Sequence, residues 1–418
     1  MNHTDIFFKS IGIDKRNSLV AFAKVSTVPV NRLLFYNETN TMPTGIDLDK
    51  ICLQAAITPL QLQLRMGIVD RNIEALLRTQ ADSVFNILKS ESIVSIERHQ
   101  KLVPSFETSL GKLFRGDCLD VMRNIPSDSV DLCFADPPFN LDKLYPSQID
   151  DNLKVEQYLS WCEEWASECC RILKPGGSLF IWNLPKWNGK MSAFLGNRLT
   201  FRHWISVDIK YRLPIAGRLY PSHYSLLYFC KGEKPNAFHP DRLPMEVCPS
   251  CSTDLKDYGG YKDKMNPLGV NLADVWYDIP PVRHAKYKRR LGANELSIKL
   301  MDRIIEMASN VDDLVFDPFG GAGTTYIVAE LKNRRWIGAE IGPLTDIEQR
   351  FKRIDEEREY IHKLRQSYNK LFTDETLRRR NILGLWTSDS VRNGKHQHRK
   401  RMVIASDDLF ANGESKVQ

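Results

Sequence analysis

Residues 129–140 read SVDLCFADPPFN. The apolar run from Val130 to Ala135 has the length and composition of a strand buried on both faces. Pro137 and Pro138 then stop it, because neither has the N–H that a central strand's ladder requires. The chain therefore leaves the sheet at that strand's carboxyl end, where open α/β sheets bind their ligands. Such a stiff turn presents the Asp136 carboxylate, the Pro137 carbonyl and the Phe139 ring to one crevice. An exocyclic amine on a nucleobase is a poor nucleophile, since its lone pair is delocalised into the ring. Two acceptors that take both amine hydrogens draw the nitrogen towards tetrahedral geometry, and an aromatic ring stacks on the base. A strand-ending Asp-Pro turn is also a common structural element, so this reading needs a second constellation.

Working outward, strands and helices alternate. KLFRGDCLDVMRNIP begins at Lys112 and precedes the quoted strand; a helix from Val155 to Leu173 and the strand KPGGSLFIWN follow it, and HYSLLYFCKG (from His223) is a further strand. After an irregular stretch come the helix NELSIKLMDRIIEMAS, the strand LVFDPFGGAG, the helix TTYIVAELKN and the strand WIGAEI. Short apolar runs separated by helices predict an α/β fold, a mostly parallel sheet with helices on both faces.

The second constellation lies in that later block. Asp317, Phe319, Gly320, Gly321, Gly323 and Thr324 form a strand–glycine turn–helix in which backbone can approach a ligand closely. The turn lacks the Gly-Lys-Ser/Thr of a phosphate loop, and GGAG is shorter than the dinucleotide fingerprint. The next strand ends at Glu340, where an acid can accept bonds from ribose hydroxyls. A nucleoside ligand without pyrophosphate follows.

With 418 residues, the chain exceeds one typical domain; 58 Lys+Arg against 52 Asp+Glu give a net charge of +6, which favours a polyanionic partner. Hydrophobic residues at 42% and charged residues at 26% exclude a wholly disordered or fibrous chain. No apolar run of membrane-spanning or signal length is read, so no membrane partner and a cytoplasmic location are expected. Nine cysteines at irregular spacing, Cys133, Cys162, Cys169 and Cys170 among them, suggest reduced core thiols.

On these residues the chain resembles the amino-methylating DNA methyltransferases that use S-adenosylmethionine, of the permuted kind in which the DPPF catalytic motif precedes the FGGAG cofactor motif. The resemblance covers roughly residues 111–354 and implies a Rossmann-like methyltransferase domain. It assigns Asp136, Pro137, Pro138 and Phe139 to catalysis. It assigns Asp317, Phe319, Gly320, Gly321, Gly323 and Thr324 to the cofactor, Glu340 to its ribose, and Asp117 and Cys118 of the Gly116-Asp117-Cys118 segment to the neighbourhood of its adenine. Ser297 and Lys299 stand in the helix of the remaining cofactor motif, but ELSIK departs from the family's lysine-proline form. An Asp-Pro-Pro start goes with adenine N6 more often than with cytosine N4. Either base lies inside the duplex and must be flipped out. Duplex DNA is the implied partner, with a cognate restriction endonuclease and a second copy of the chain as further candidates.

The organisation expected is a helical module over 1–108, methyltransferase parts over 109–232 and 293–372, an insert over 233–292 and a basic tail over 373–418. In the first module, helical spacing over Asp47–Leu77 and a helix start at Thr58-Pro59 suit either a helix-turn-helix DNA reader or a small packing bundle. The insert reads as the target-recognition region, with Arg242, Lys256, Lys262, Lys264, Arg283, His284 and Arg290 for phosphates and base edges. Tyr258, Tyr261, Trp276, Tyr277 and Tyr287 interleave with them. Cys248 and Cys251 form a CxxC knuckle which, with Cys230 and His239, could complete a structural zinc site. The segment from Leu344 to Phe372 reads as one long charged helix, and the rest as a solvated basic tail. Two rival functions stand beside adenine methylation: cytosine-N4 methylation on the same architecture, and a non-catalytic DNA-binding regulator.

Overall fold

The structure is a computed structural model that describes residues 5–13, 16–91, 102–141, 153–208, 216–217, 219, 221–248, 250–252, 266–280 and 295–389. The chain divides into two compact units, residues 1–100 with 152–162, and residues 101–151 with 163–418.

In the first unit, α1 (Ile6–Ser10), α2 (Arg16–Ser26), α3 (Val30–Thr39), α4 (Gly45–Ala55), α5 (Pro59–Arg65), α6 (Arg71–Thr79) and α7 (Ala81–Glu91) follow in succession. Phe7, Leu33, Ile51 and Leu62 are fully buried in its core. Helix α5 starts where the sequence indicates: Thr58 and Gln61 exchange side-chain and backbone hydrogen bonds as a capping box, and Pro59 occupies the first turn, where its missing N–H is harmless. A three-residue turn joins α4 to α5, with Ala56 left-handed at φ 52°.

The second unit is built on a nine-stranded sheet. Its elements are β1 (Phe106–Glu107), β2 (Gly111–Arg115), α8 (Cys118–Arg123), β3 (Val130–Ala135), then α9 (Val155–Ile172), whose first half falls in the other unit, and β4 (Leu173–Asn183), α10 (Pro185–Leu195), β5 (Thr200–Asp208) and β6 (His223–Cys230). Then come β7 (Arg242–Leu243), β8 (Val270–Asn271), β9 (Val275–Trp276), α11 (Ile298–Ala308), β10 (Leu314–Asp317), α12 (Thr324–Leu331), β11 (Arg335–Glu340), α13 (Thr345–Lys352), α14 (Ile354–Arg365) and α15 (Asp374–Ile382). The strand order is β1-β2-β11-β10-β3-β4-β6-β5-β9. From β2 to β4 every pair is parallel; β6 runs antiparallel to both β4 and β5. Side chains of β3, β4 and β6 such as Leu132, Phe180 and Leu226 are fully buried in the main core, as their continuous apolar runs demand.

Four features depart from the sequence reading. Strand β5 was not expected: its apolar residues alternate with Arg202, His203 and Ser206, so Ile205 and Val207 are buried while Phe201 is half exposed. The insert is not purely loop, since β9 extends the main sheet beside β5 and β7 pairs with β8. The long charged helix is broken at Arg353 (φ −115°) into α13 and α14, and Arg350 and Glu357, one on each side of the break, are both buried and paired with each other. The basic tail begins as α15, with Arg380 buried between the Phe372 and Trp386 rings and donating to the Ser252 and Trp386 carbonyls. Residues 395–402 lie outside the described residues. Among the described residues, no single helix is long and apolar enough to cross a membrane.

Candidate active site

Strands β3 and β10 are parallel neighbours, with Leu132 opposite Val315 and Cys133 opposite Phe316. They end at the same sheet edge, so the turn after Ala135 and the turn after Asp317 emerge side by side, about 4.8 Å apart by strand spacing. Asp136 is partly buried. Its carboxyl is pushed well above the ordinary carboxylate range, by desolvation first and then by the charge of Asp317. The two stretches, 181 residues apart in sequence, thus share one electrostatic environment.

Asp317 is fully buried. One carboxylate oxygen accepts from the Phe319 N–H at 2.9 Å and the other accepts from the Thr325 hydroxyl. Burial pushes it up to about 7; the bonds from Thr325 and Phe319 pull down, and Glu340 pushes up. Glu340, at the end of β11, accepts from the Gly321 and Gly342 N–H groups, each at 2.7 Å. Its first bond braces the glycine turn directly. Gly320 donates to the Ala339 carbonyl at 2.8 Å, and Gly323 donates to Gly320 at 2.7 Å. A Cβ on Gly320 would lie 2.8 Å from the Tyr326 hydroxyl and 3.1 Å from the Ala339 carbonyl. Gly321 and Gly323 hold φ of 53° and 74°, which glycine adopts without strain. A Cβ on Gly321 would meet the Phe319 carbonyl at 3.8 Å, an ordinary contact. Phe319 meets Trp165 edge-on at 5.4 Å.

Across the edge, Gly116 donates to the Glu340 carbonyl at 3.1 Å, which brings the Gly116-Asp117-Cys118 segment beside the same turn. Asp117 caps α8 by accepting from Leu119 at 2.8 Å, and Cys118 is buried, its thiol pushed up by desolvation. The Thr324 hydroxyl accepts from Arg350 at 2.8 Å and reaches the Leu296 carbonyl at 3.4 Å, so it joins α12 to its neighbours. Ser297 caps α11 by position, and Lys299 pairs with Asp278 at 2.7 Å.

Phe139 is 5% exposed, its ring 5.9 Å from Tyr224, which stands 4.8 Å from Trp182. The Phe139 carbonyl accepts from the Trp187 indole N–H at 2.7 Å. Sequence reasoning missed Trp187 and Tyr224, as it did Thr325 and Tyr326, whose hydroxyls bond the Asp317 side chain and carbonyl. A signal for Trp187 was available: Pro185 after the strand's Asn183 marks a first helical turn at the carboxyl edge.

The proposed zinc set does not come together. Cys230 is buried in β6 with its thiol against the Gly232 carbonyl at 3.5 Å, and His239 bonds Asn310 at 2.9 Å. Among the described residues no group of three or more His, Cys, Asp or Glu side chains is arranged to hold a metal. Cys248 and Cys251 instead bound a turn closed by the Ser252 N–H bonding the Cys248 carbonyl at 2.9 Å. In the insert, Trp276 is 2% exposed beneath the Arg303 guanidinium, so it packs the core; Tyr277 is half exposed, and Arg242 donates to the Gly269 carbonyl. Lys256, Tyr258, Tyr261, Lys262, Lys264, Arg283, His284, Tyr287 and Arg290 lie outside the described residues.

Residues 130–345 match the family model for N6/N4 DNA methylases. The type II methyltransferase M.BamHI of Bacillus amyloliquefaciens is 45% identical over 376 residues, 89% of each chain. The DNA adenine methyltransferase YhdJ of Escherichia coli (strain K12) is 31% identical over 236 residues, 55% of this chain and 78% of that protein. Among solved structures, the cytosine-N4-specific PvuII DNA methyltransferase aligns with a TM-score of 0.44 at 19% identity, covering 71% of this chain and 98% of that one.

Proposed function

This chain belongs to the N6/N4 DNA methylase family, and from that membership we propose that it transfers the methyl group of S-adenosylmethionine to the exocyclic amine of a base in a specific duplex DNA sequence. Adenine N6 is the first choice of base, on the Asp-Pro-Pro motif and the likeness to a relative named as an adenine methyltransferase. The observation that carries the reading is the shared edge of β3 and β10, with Asp136 and Asp317 close enough to feel each other's charge.

The residues present fit a cationic nucleoside cofactor. The acids Asp136, Asp317 and Glu340 stand about one glycine turn: burial and then the charge of Asp317 raise the Asp136 carboxyl, and burial with a smaller push from Glu340 raises Asp317. A ligand bearing positive charge relieves that repulsion, and glycines at 320, 321 and 323 let it approach the backbone with no side chain between. The bound cofactor supplies an electrophilic methyl group on a sulfonium.

What the protein does is hold and polarise the amine. Asp136, once ionised, accepts one amine hydrogen and the Pro137 carbonyl accepts the other, so the nitrogen lone pair localises towards the methyl carbon. Positive charge beside Asp136 lowers its pKa and so favours the accepting form. After transfer the nitrogen sheds one proton, for which Asp136 is the acceptor at hand. Tyr224, partly exposed beside the buried Phe139 ring, offers aromatic surface to the extruded base, offsetting part of the few kcal/mol that flipping costs.

Cytosine N4 presents the same two hydrogens to the same two acceptors. The deciding experiment incubates DNA with the protein and S-adenosylmethionine, digests it to nucleosides and weighs them. N6-methyl-2′-deoxyadenosine is the expected product; N4-methyl-2′-deoxycytidine would move the assignment to the other base, and finding neither would remove the functional reading.

A further inference from the structure

The catalytic turn is gripped at two ends. On one side β3 holds Val130 to Ala135 in the sheet between β10 and β4. On the other, the Phe139 carbonyl accepts the Trp187 indole N–H at 2.7 Å in a buried contact. The amine-accepting atoms of Asp136 and Pro137 lie between these grips. We propose that Trp187 is a positioning residue for methyl transfer, its indole N–H fixing the Phe139 carbonyl and with it the set of the Asp136–Pro137 acceptors against the cofactor turn. The inference rests on the role given to Asp136 above.

The donor is itself rigidly mounted. Trp187 is 5% exposed in the first turn of α10, and the Lys186 ammonium lies 4.1 Å from its ring centroid. The next residue, Asn188, is fully buried, and its amide donates to the Ile181 carbonyl of β4 and to the Ser225 carbonyl and hydroxyl of β6 at 2.9 to 3.2 Å. The start of α10 is thereby bolted to two core strands of the sheet that carries β3. An indole has a single N–H donor and no acceptor, so one direction is fixed. Any buried tryptophan seeks a partner for that N–H, and many carbonyls would satisfy it. What sets this contact apart is the carbonyl chosen, inside the catalytic motif and two residues from Pro137. A displacement of about 1 Å at the reacting groups is enough to slow catalysis about 100-fold.

The test uses the full chain with S-adenosylmethionine and a duplex that the parent protein methylates. Trp187→Phe keeps an aromatic ring and removes the donor. The expected result is a kcat lower by about 10- to 100-fold, with KM for S-adenosylmethionine within about twofold of the parent and Tm nearly unchanged. Trp187→His, which retains a ring N–H, should recover part of the lost rate. A folded Trp187→Phe protein with parental kcat overturns the proposal, as does a fall in kcat that merely follows equal losses of Tm and cofactor binding. Should Trp187→Phe fail to fold, Trp187→His decides: a rate near the parent's supports the bond, and a folded but inactive protein overturns it. A parent that methylates no DNA sinks the functional reading instead, so the two failures are distinguishable.

Discussion

Asp136 and the two glycines opposite it make separable claims. Asp136→Ala removes one of the two amine acceptors proposed above but leaves the glycine turn intact, so methyl transfer should fall by at least about 100-fold, while DNA retention in a filter or mobility assay stays near parental. Transfer at the parental rate would remove Asp136 from the chemistry. Gly320→Ala forces a Cβ to within 2.8 Å of the Tyr326 hydroxyl and 3.1 Å of a backbone carbonyl, so either the Tyr326 side chain or the turn must shift. Gly321→Ala meets nothing closer than 3.8 Å and bears only left-handed strain, about 1–2 kcal/mol. Thermal melts and transfer assays should therefore rank Gly320→Ala as the more damaging of the two for activity, and the reverse order would place the cofactor's approach elsewhere on the turn.

Among the elements, α13 and α14 are joined by a buried ion pair. Arg350 donates to both oxygens of Glu357 and also reaches the Ala322 carbonyl at 2.9 Å, tying the glycine turn to the helices that follow it. Arg350→Ala takes the bidentate guanidinium from the buried Glu357 carboxylate, a loss of about 3–5 kcal/mol readable as a lower midpoint in urea. How far such elements were legible depends on where their side chains go. The strand before Asp136 and the strand before Gly320 were readable because each is buried on both faces and stopped by proline or glycine. Thr58-Pro59 was readable because capping is local chemistry. Strand β5 hid because its polar residues break the apolar run, and the split at Arg353 hid because no sequence pattern says that Arg350 turns inward. Arg380 is the same case: a run of three arginines looks solvated until Phe372 and Trp386 close over its last member. The two motifs could be read as candidates for chemistry because each lies in one short stretch of chain, whereas the Trp187–Phe139 contact depends on a fold-determined encounter between residues 48 apart.

For the whole molecule the clustered acids set a pH dependence. Asp317 titrates at about 7 in the fold against an ordinary value of 3.8, so the folded state holds its proton more tightly than the unfolded chain. Its contribution to stability is therefore fullest below pH ~4 and declines as pH rises towards 7, by about 1.4 kcal/mol per pH unit at most. Chemical denaturation without cofactor, run across that window, should show the decline once other carboxyls are accounted for by an Asp317→Asn control. Binding of a cation should expel the proton from Asp317, which titrates at about 7, so affinity for S-adenosylmethionine should rise with pH towards neutrality. Calorimetry in two buffers of different ionisation enthalpy checks this, and equal heats in both would contradict it.

The meeting of β3 with β10 has a practical corollary. The two motifs are brought together by hydrogen-bonded registry, not by chain continuity, and the strands supplying them lie on either side of residues 253–265. Severing the polypeptide there would give one fragment with the acidic bend and another with the glycine hairpin. Each would be inert alone, and co-expression should restore modification as β10 and β11 slot together between β2 and β3, yielding a methylase that answers to whatever brings its pieces together.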